Sequence, residues 1–244
     1  MPTADNERKH FWYSFLVPSV FVALLWAIGL VERWGGIELT HWGVFPRRLS
    51  GLVGVLAAPL IHSGFNHLFS NSVPLVVLWG GALYLYRDLA HRVMLIVWLA
   101  GGLMVWLGAR ASFHIGASGL VYGMAAFLFF SGLFRADTRL MAISLLVVFL
   151  YGGMVWGALP IYPQVSWEYH LYSALCGLFC AYLYRHQGPP RRRWSWEDEE
   201  DDDDDDDPIN PDYHDPWWAQ GPIYPQPPPD FCPPPEPPAN EQHP

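Results

Sequence analysis

Cysteine is scarce in this chain. There are three in 244 residues: Cys176 and Cys180, four apart in an apolar stretch, and Cys232 far beyond them. That excludes a disulfide framework, and without a Cys-x-x-Cys pair a structural zinc site is not expected either. Basic residues are absent after Arg193. Residues 1–193 hold all 14 Lys and Arg with 7 acids, a net +7, whereas residues 194–244 hold 16 acids and no base. The end of the chain, "EDEEDDDDDDD" and then "PQPPPDFCPPPEPP", repels itself and cannot bury enough apolar surface to offset its ordering entropy. Residues 188–244 therefore read as a disordered acidic tail with polyproline II character. A second reading makes the tail a docking site for a cytoplasmic partner, because Trp217, Trp218, Tyr224 and Phe231 interleave the prolines. No small-residue cleavage site follows a short apolar core near the N-terminus, so the first apolar run is read as a membrane span and not a signal peptide.

What the chain has in abundance is apolar residues, 52% of the total. A spanning helix needs about 20 of them in sequence. Six stretches qualify: 11–31, 67–86, 93–108, 116–133, 140–159 and 167–184. Residues 1–10 then form a short cytoplasmic N-terminus, and 11–187 a six-helix membrane domain. A shorter apolar piece, 52–61, contains Pro59 and fits an interfacial or re-entrant segment of the long loop 32–66, which Trp34, Trp42 and Phe45 would anchor at the interface. With the N-terminus inside, ten basic residues face the cytoplasm and four (Arg33, Arg47, Arg48, Arg110) face out. That bias places both termini in the cytoplasm. No inverted repeat or charged path at mid-membrane depth supports a small transporter.

Polar groups inside a membrane are costly and mark functional sites. Spans two, four and six all run inward. His67, Ser118 and His170 each lie within about one turn of the outer end of their span. Three such residues at one depth on one side make a constellation rather than scattered packing. A serine hydroxyl becomes a useful nucleophile when a neighbouring base takes its proton, and neutral histidine is suited to that. The oxyanion formed on attack needs donors, and the Asn71 amide, the His67 imidazole and the Ser118 N–H are suitable. His67 and Asn71 are four apart and share a helix face. Gly116 and Gly119 permit close approach around the serine, and Tyr122, one turn after Ser118, can pack on the His170 ring. Glu168 is two residues before His170 and faces another way, so a Ser–His dyad is expected, without a triad. His62 is read two ways, as active-site support or as an interface anchor. His114 reads as a loop or interfacial histidine, and Cys176 and Cys180 as core packing.

The residues "HSGFNHLFSN" (62–71), "GASGLVYG" (116–123) and "SWEYHLYSALCG" (166–177) resemble those of the rhomboid intramembrane serine proteases. The resemblance covers roughly residues 11–187. It implies an all-α six-helix bundle with a membrane-embedded first loop, Ser118 as nucleophile, His170 as general base, His67 and Asn71 in the oxyanion hole, and His62 beside them. It implies an endopeptidase that cuts single-span membrane proteins near the outer end of their helix. The expected surroundings are lipid, in a bacterial cytoplasmic membrane, with no metal, organic cofactor or nucleic acid. The alternative is a non-catalytic rhomboid-like protein that binds membrane helices. Tyr169 and Ser173 stand where many members carry small residues, so their size bears directly on the Ser–His distance.

Overall fold

The computed structural model describes residues 4–150, 154–162 and 164–187. The tail expected over 188–244 lies outside the described residues. Within them the chain is helical. The helices are α1 (Ala4–Gly35), α2 (Val53–Ala57), α3 (Phe65–Tyr86), α4 (Asp88–Gly108), α5 (Ser118–Arg135), α6 (Thr138–Leu150), α7 (Met154–Gly157) and α8 (Trp167–Leu183). Four of them, α1, α3, α4 and α5, are long and apolar enough to cross a membrane. Of α6, 13 residues are described, and the 17 residues of α8 are shorter.

Several boundaries differ from those expected. The first helix starts at Ala4, so the polar residues before the apolar run form its first turns. The fourth starts at Ser118, not at 116, because Gly116 has φ +108 and cannot be helical. Of the expected span 140–159, the described residues are helical over 140–150 and 154–157.

Helix ends follow local chemistry. Gly36, at φ +63, turns the chain out of α1. Ala136 adopts the left-handed conformation after α5, and its N–H returns to the last-turn carbonyls of Gly132 and Leu133.

Helix α5 makes its most extensive packing with α8, and α1 packs mainly on α3. In lipid, helices associate by close backbone approach rather than by escape from water. Gly177 of α8 lies directly on the backbone of Gly123 in α5, where a Cβ would collide with the Gly123 carbonyl. The main core collects Leu68, Leu75 and Leu78 of α3, Val97 of α4, Leu120, Met124 and Phe127 of α5, and Cys176 and Cys180 of α8. Outward residues of α1 such as Trp12, Tyr13 and Val20 remain exposed, as lipid-facing side chains would.

The loop between α1 and α3 is a chain of short helical turns: Thr40–Trp42, Leu49–Leu52, α2 and Ala58–Leu60. Two tryptophans of α4 latch it down. Trp98 Nε1 donates to Val55 O at 3.1 Å and Trp106 Nε1 to Arg48 O at 2.8 Å. A β-bridge between Val44 and His114 ties the same loop to the segment that leads into α5. His114, in the loop before α5, is fully buried there, and its Nε2–H donates to Arg110 O at 3.1 Å. Trp34 and Trp42 are exposed at the loop's edge.

Candidate active site

The starts of α3, α5 and α8 converge on one open cleft of about 600 Å³, lined by His67, Asn71, Ser118, Tyr122, Gly157 and His170 among others. Ser118 is the first residue of α5. Backbone N–H groups at a helix start have no intrahelical acceptor, so the Ser118 N–H is open to a ligand. Its hydroxyl is 2.7 Å from His170 Nε2, and both residues are buried, at 7% and 8% exposure.

The other ring nitrogen of His170 lies 2.8 Å from the carbonyl oxygen of Gly157. A carbonyl only accepts, so Nδ1 carries the proton and Nε2 presents its lone pair to the Ser118 hydroxyl. The Tyr122 ring stacks on the imidazole with centroids 4.1 Å apart and planes within 6°. The candidate base is thus held in plane by a backbone carbonyl and out of plane by an aromatic face.

Asn71 is buried on α3, and its amide nitrogen has no hydrogen-bond partner among the described residues. An unpartnered buried donor costs stability and is a group awaiting an acceptor. His67, one turn earlier, is half-buried, with Nδ1 3.2 Å from the Ser63 hydroxyl. The hydroxyl can donate to or accept from Nδ1, and Nε2 lies on the side of the ring facing Gly116. The His67 ring lies against Gly116, where an added Cβ would fall 2.6 Å from His67 Cε1 and 3.7 Å from Ser118 Oγ. Gly116 is therefore required twice, for its positive φ and for this approach, and its N–H is anchored on Ala58 O at 2.8 Å.

His62 lies outside the dyad. Its Nε2 accepts the N–H of Ala117 at 3.2 Å, and its ring meets that of His67 edge-on at 5.0 Å. It pins the residue immediately before Ser118. Burial, and next the neighbouring His67, lower its pKa from 6.5 to about 3, so it stays the neutral acceptor that Ala117 requires.

Glu168 faces Arg110. Its Oε1 accepts the Arg110 backbone N–H at 3.3 Å and lies 3.5 Å from Arg110 Nε, while Arg110 Nη2 donates to Val165 O. This pair joins the segment before Ser118 to the start of α8. Gly119 faces the other side of α8, against Tyr169 and Ser173. Tyr169 is fully buried under the first loop with Val44, Ala58, Val105 and Ala109, and Ser173 is buried beside Gly101. The two larger residues are accommodated by glycines on α5 and α4, and the Ser118–His170 contact stays short. Among the described residues no group of three His, Cys, Asp or Glu side chains is arranged to hold a metal ion.

Three features of the site had no counterpart in the expected residue set: the Gly157 carbonyl, the His62–Ala117 bond and the Arg110–Glu168 pair. Gly157 and Ala117 act through backbone atoms, which leave no residue-type signature. A charged pair flanking the motif was the one signal available for Arg110 and Glu168.

The Rhomboid domain family matches residues 50–187, a segment containing every residue of the cleft named above. Uncharacterized proteins of Mycobacterium tuberculosis and Mycobacterium bovis are each 41% identical to this chain over 194 residues, covering 75% of this chain and 80% of theirs. An uncharacterized protein of Mycobacterium leprae is 34% identical over 193 residues, covering 74% and 75%.

Proposed function

This chain belongs to the rhomboid family, whose members are generally intramembrane serine proteases, and is a multi-pass membrane protein; from that premise we propose that it is itself a serine endopeptidase acting on single-span membrane proteins near the outer end of their helix. The observation that carries the reading is the 2.7 Å contact between Ser118 Oγ and His170 Nε2, in a cleft that also holds the unpartnered Asn71 amide.

The chemistry follows from the contacts. His170 Nε2 takes the Ser118 proton as Oγ bonds to the scissile carbonyl carbon. The oxyanion is received by Asn71 Nδ2, His67 Nε2 and the Ser118 N–H. As the C–N bond breaks, His170 passes the proton to the leaving amine and an acyl-serine ester remains. Water, admitted through the open cleft, gives a proton to His170 and attacks the ester. The carboxylic acid leaves and the proton returns to Ser118. No cofactor is needed for any step.

In this reading the bundle has six spans, with α6–α7 and α8 completing the set begun by α1, α3, α4 and α5. The first loop is embedded in the membrane beside the site, both termini are cytoplasmic, and the location is a bacterial inner membrane. The competing reading, a non-catalytic binder of membrane helices, drew its support from the bulk of Tyr169. With that ring packed against Gly119, the protease reading is preferred.

The test is cleavage of a single-span reporter in proteoliposomes. The expected product is cut near the outer end of the reporter's helix, and Ser118→Ala and His170→Ala give none. Equal cleavage by Ser118→Ala, or intact reporter with the folded parent, rejects the proposal.

A further inference from the structure

We infer that Gly157 is a positioning residue of the dyad, through its carbonyl oxygen and through its lack of a side chain. The inference rests on the protease reading above and adds the group that stands third in line behind serine and histidine.

In hydrolases with a triad, a buried carboxylate holds the histidine in the tautomer and orientation the serine needs. The acid nearest to His170 in sequence, Glu168, is engaged with Arg110 instead. A free carboxylate in the apolar bundle would also carry a large desolvation cost. A peptide carbonyl can orient the imidazole without burying an ion, provided that carbonyl has no other donor. Among the described residues Gly157 meets this condition by its place in the fold. It is the last residue of α7, and the final carbonyls of a helix have no intrahelical donor. The chain then turns away, with Leu159 N–H bonding to Trp156 O and Ile161 N–H to Leu159 O. The Gly157 carbonyl is left facing His170 Nδ1 at 2.8 Å.

The missing side chain matters equally. Gly157 is buried against the Tyr122–His170 stack. A Cβ there would overlap Tyr122 Oη and lie 3.3 Å from His170 Nδ1. It would wedge α7 away from the ring and take the carbonyl with it. The dyad is therefore assembled from three separate elements: α5 brings Ser118 and Tyr122, α8 brings His170, and α7 brings the acceptor that sets the tautomer.

The test uses the full-length protein in detergent or liposomes, with Gly157→Ala compared with Gly157→Ala/Tyr122→Phe. Phe keeps the stacking face and removes the oxygen that the new Cβ would meet. Gly157→Ala is expected to lower kcat on a single-span reporter, and the labelling rate of Ser118 by a phosphonate probe, by about 100-fold with KM little changed. The double variant is expected to recover at least about tenfold of that loss, by the same alignment argument. A Gly157→Ala protein with parent-like kcat, or a folded double variant no better than the single, overturns the inference. Nitrogen-15 histidine spectra of the parent, with the His170 signals identified by their loss in His170→Ala, give a readout free of any folding defect at 157. An Nδ1–H tautomer agrees with the inference and an Nε2–H tautomer overturns it. If the parent neither cleaves nor labels, the protease reading fails, and the tautomer still reports on Gly157 separately.

Discussion

The ring of Tyr169 lies directly against the backbone of Gly119, so close that a Cβ on the glycine would fall 2.6 Å from it and 2.8 Å from Ser173 Oγ. The contact sets the spacing of α5 and α8 beside the dyad. Gly119→Ala should push the helices apart. The expected cost is about 1–3 kcal/mol of stability, with a larger proportional loss of activity, checked by thermal unfolding and reporter cleavage.

Tyr169 also carries a hydroxyl that is buried with no hydrogen-bond partner among the described residues. Its removal relieves an unsatisfied group while keeping the packing. Tyr169→Phe should leave activity near the parent's and raise stability by about 1 kcal/mol. A fall in melting temperature would show that the hydroxyl has a partner.

The pairing of Ser118 with His170, and the nearness of His67 and Asn71, were legible because residue type and membrane depth coincide for all four. The Tyr122 stack was legible from its spacing of one turn after Ser118. The position of His62 was open between two uses, since either accepts a neutral imidazole, and its bond to a backbone N–H leaves no mark in residue spacing. The role of Gly157 was not legible, since a helix-terminal carbonyl looks the same for every residue type. The accommodation of Tyr169 depends on which glycine of another helix stands opposite, a relation that sequence spacing does not encode.

Asn71 separates catalysis from stability. Its buried amide has no partner in the resting site and would gain one in the oxyanion. Asn71→Ala is expected to lower kcat by about 100- to 1,000-fold while leaving the melting temperature unchanged or higher. A parallel loss of both would mean that Asn71 is structural.

Arg110 and Glu168 should behave as a pair. Glu168 is almost fully buried, and loss of Arg110 strands its charge. Arg110→Met is expected to destabilise by about 3 kcal/mol, and Arg110→Met/Glu168→Met by clearly less. Additive losses in a double-mutant cycle would show no coupling between them.

His62 gives a pH dependence with a defined sign. Its pKa is about 3 in the folded protein, against 6.5 when unfolded. The unfolded chain therefore binds the extra proton first. The stability contributed by neutral His62 is complete above pH 6.5 and is lost progressively as pH falls toward 3. His62→Gln should flatten the pH dependence of the melting temperature between those values, and an unchanged slope would assign the acid sensitivity to other groups.

The dyad itself is tested most directly by treating the purified, folded protein with a serine-directed phosphonate and locating the adduct by mass spectrometry. Labelling at Ser118 that is lost in His170→Ala, with the fold retained, is the expected result. A folded parent in which Ser118 stays unmodified, or labels equally well without His170, would contradict it.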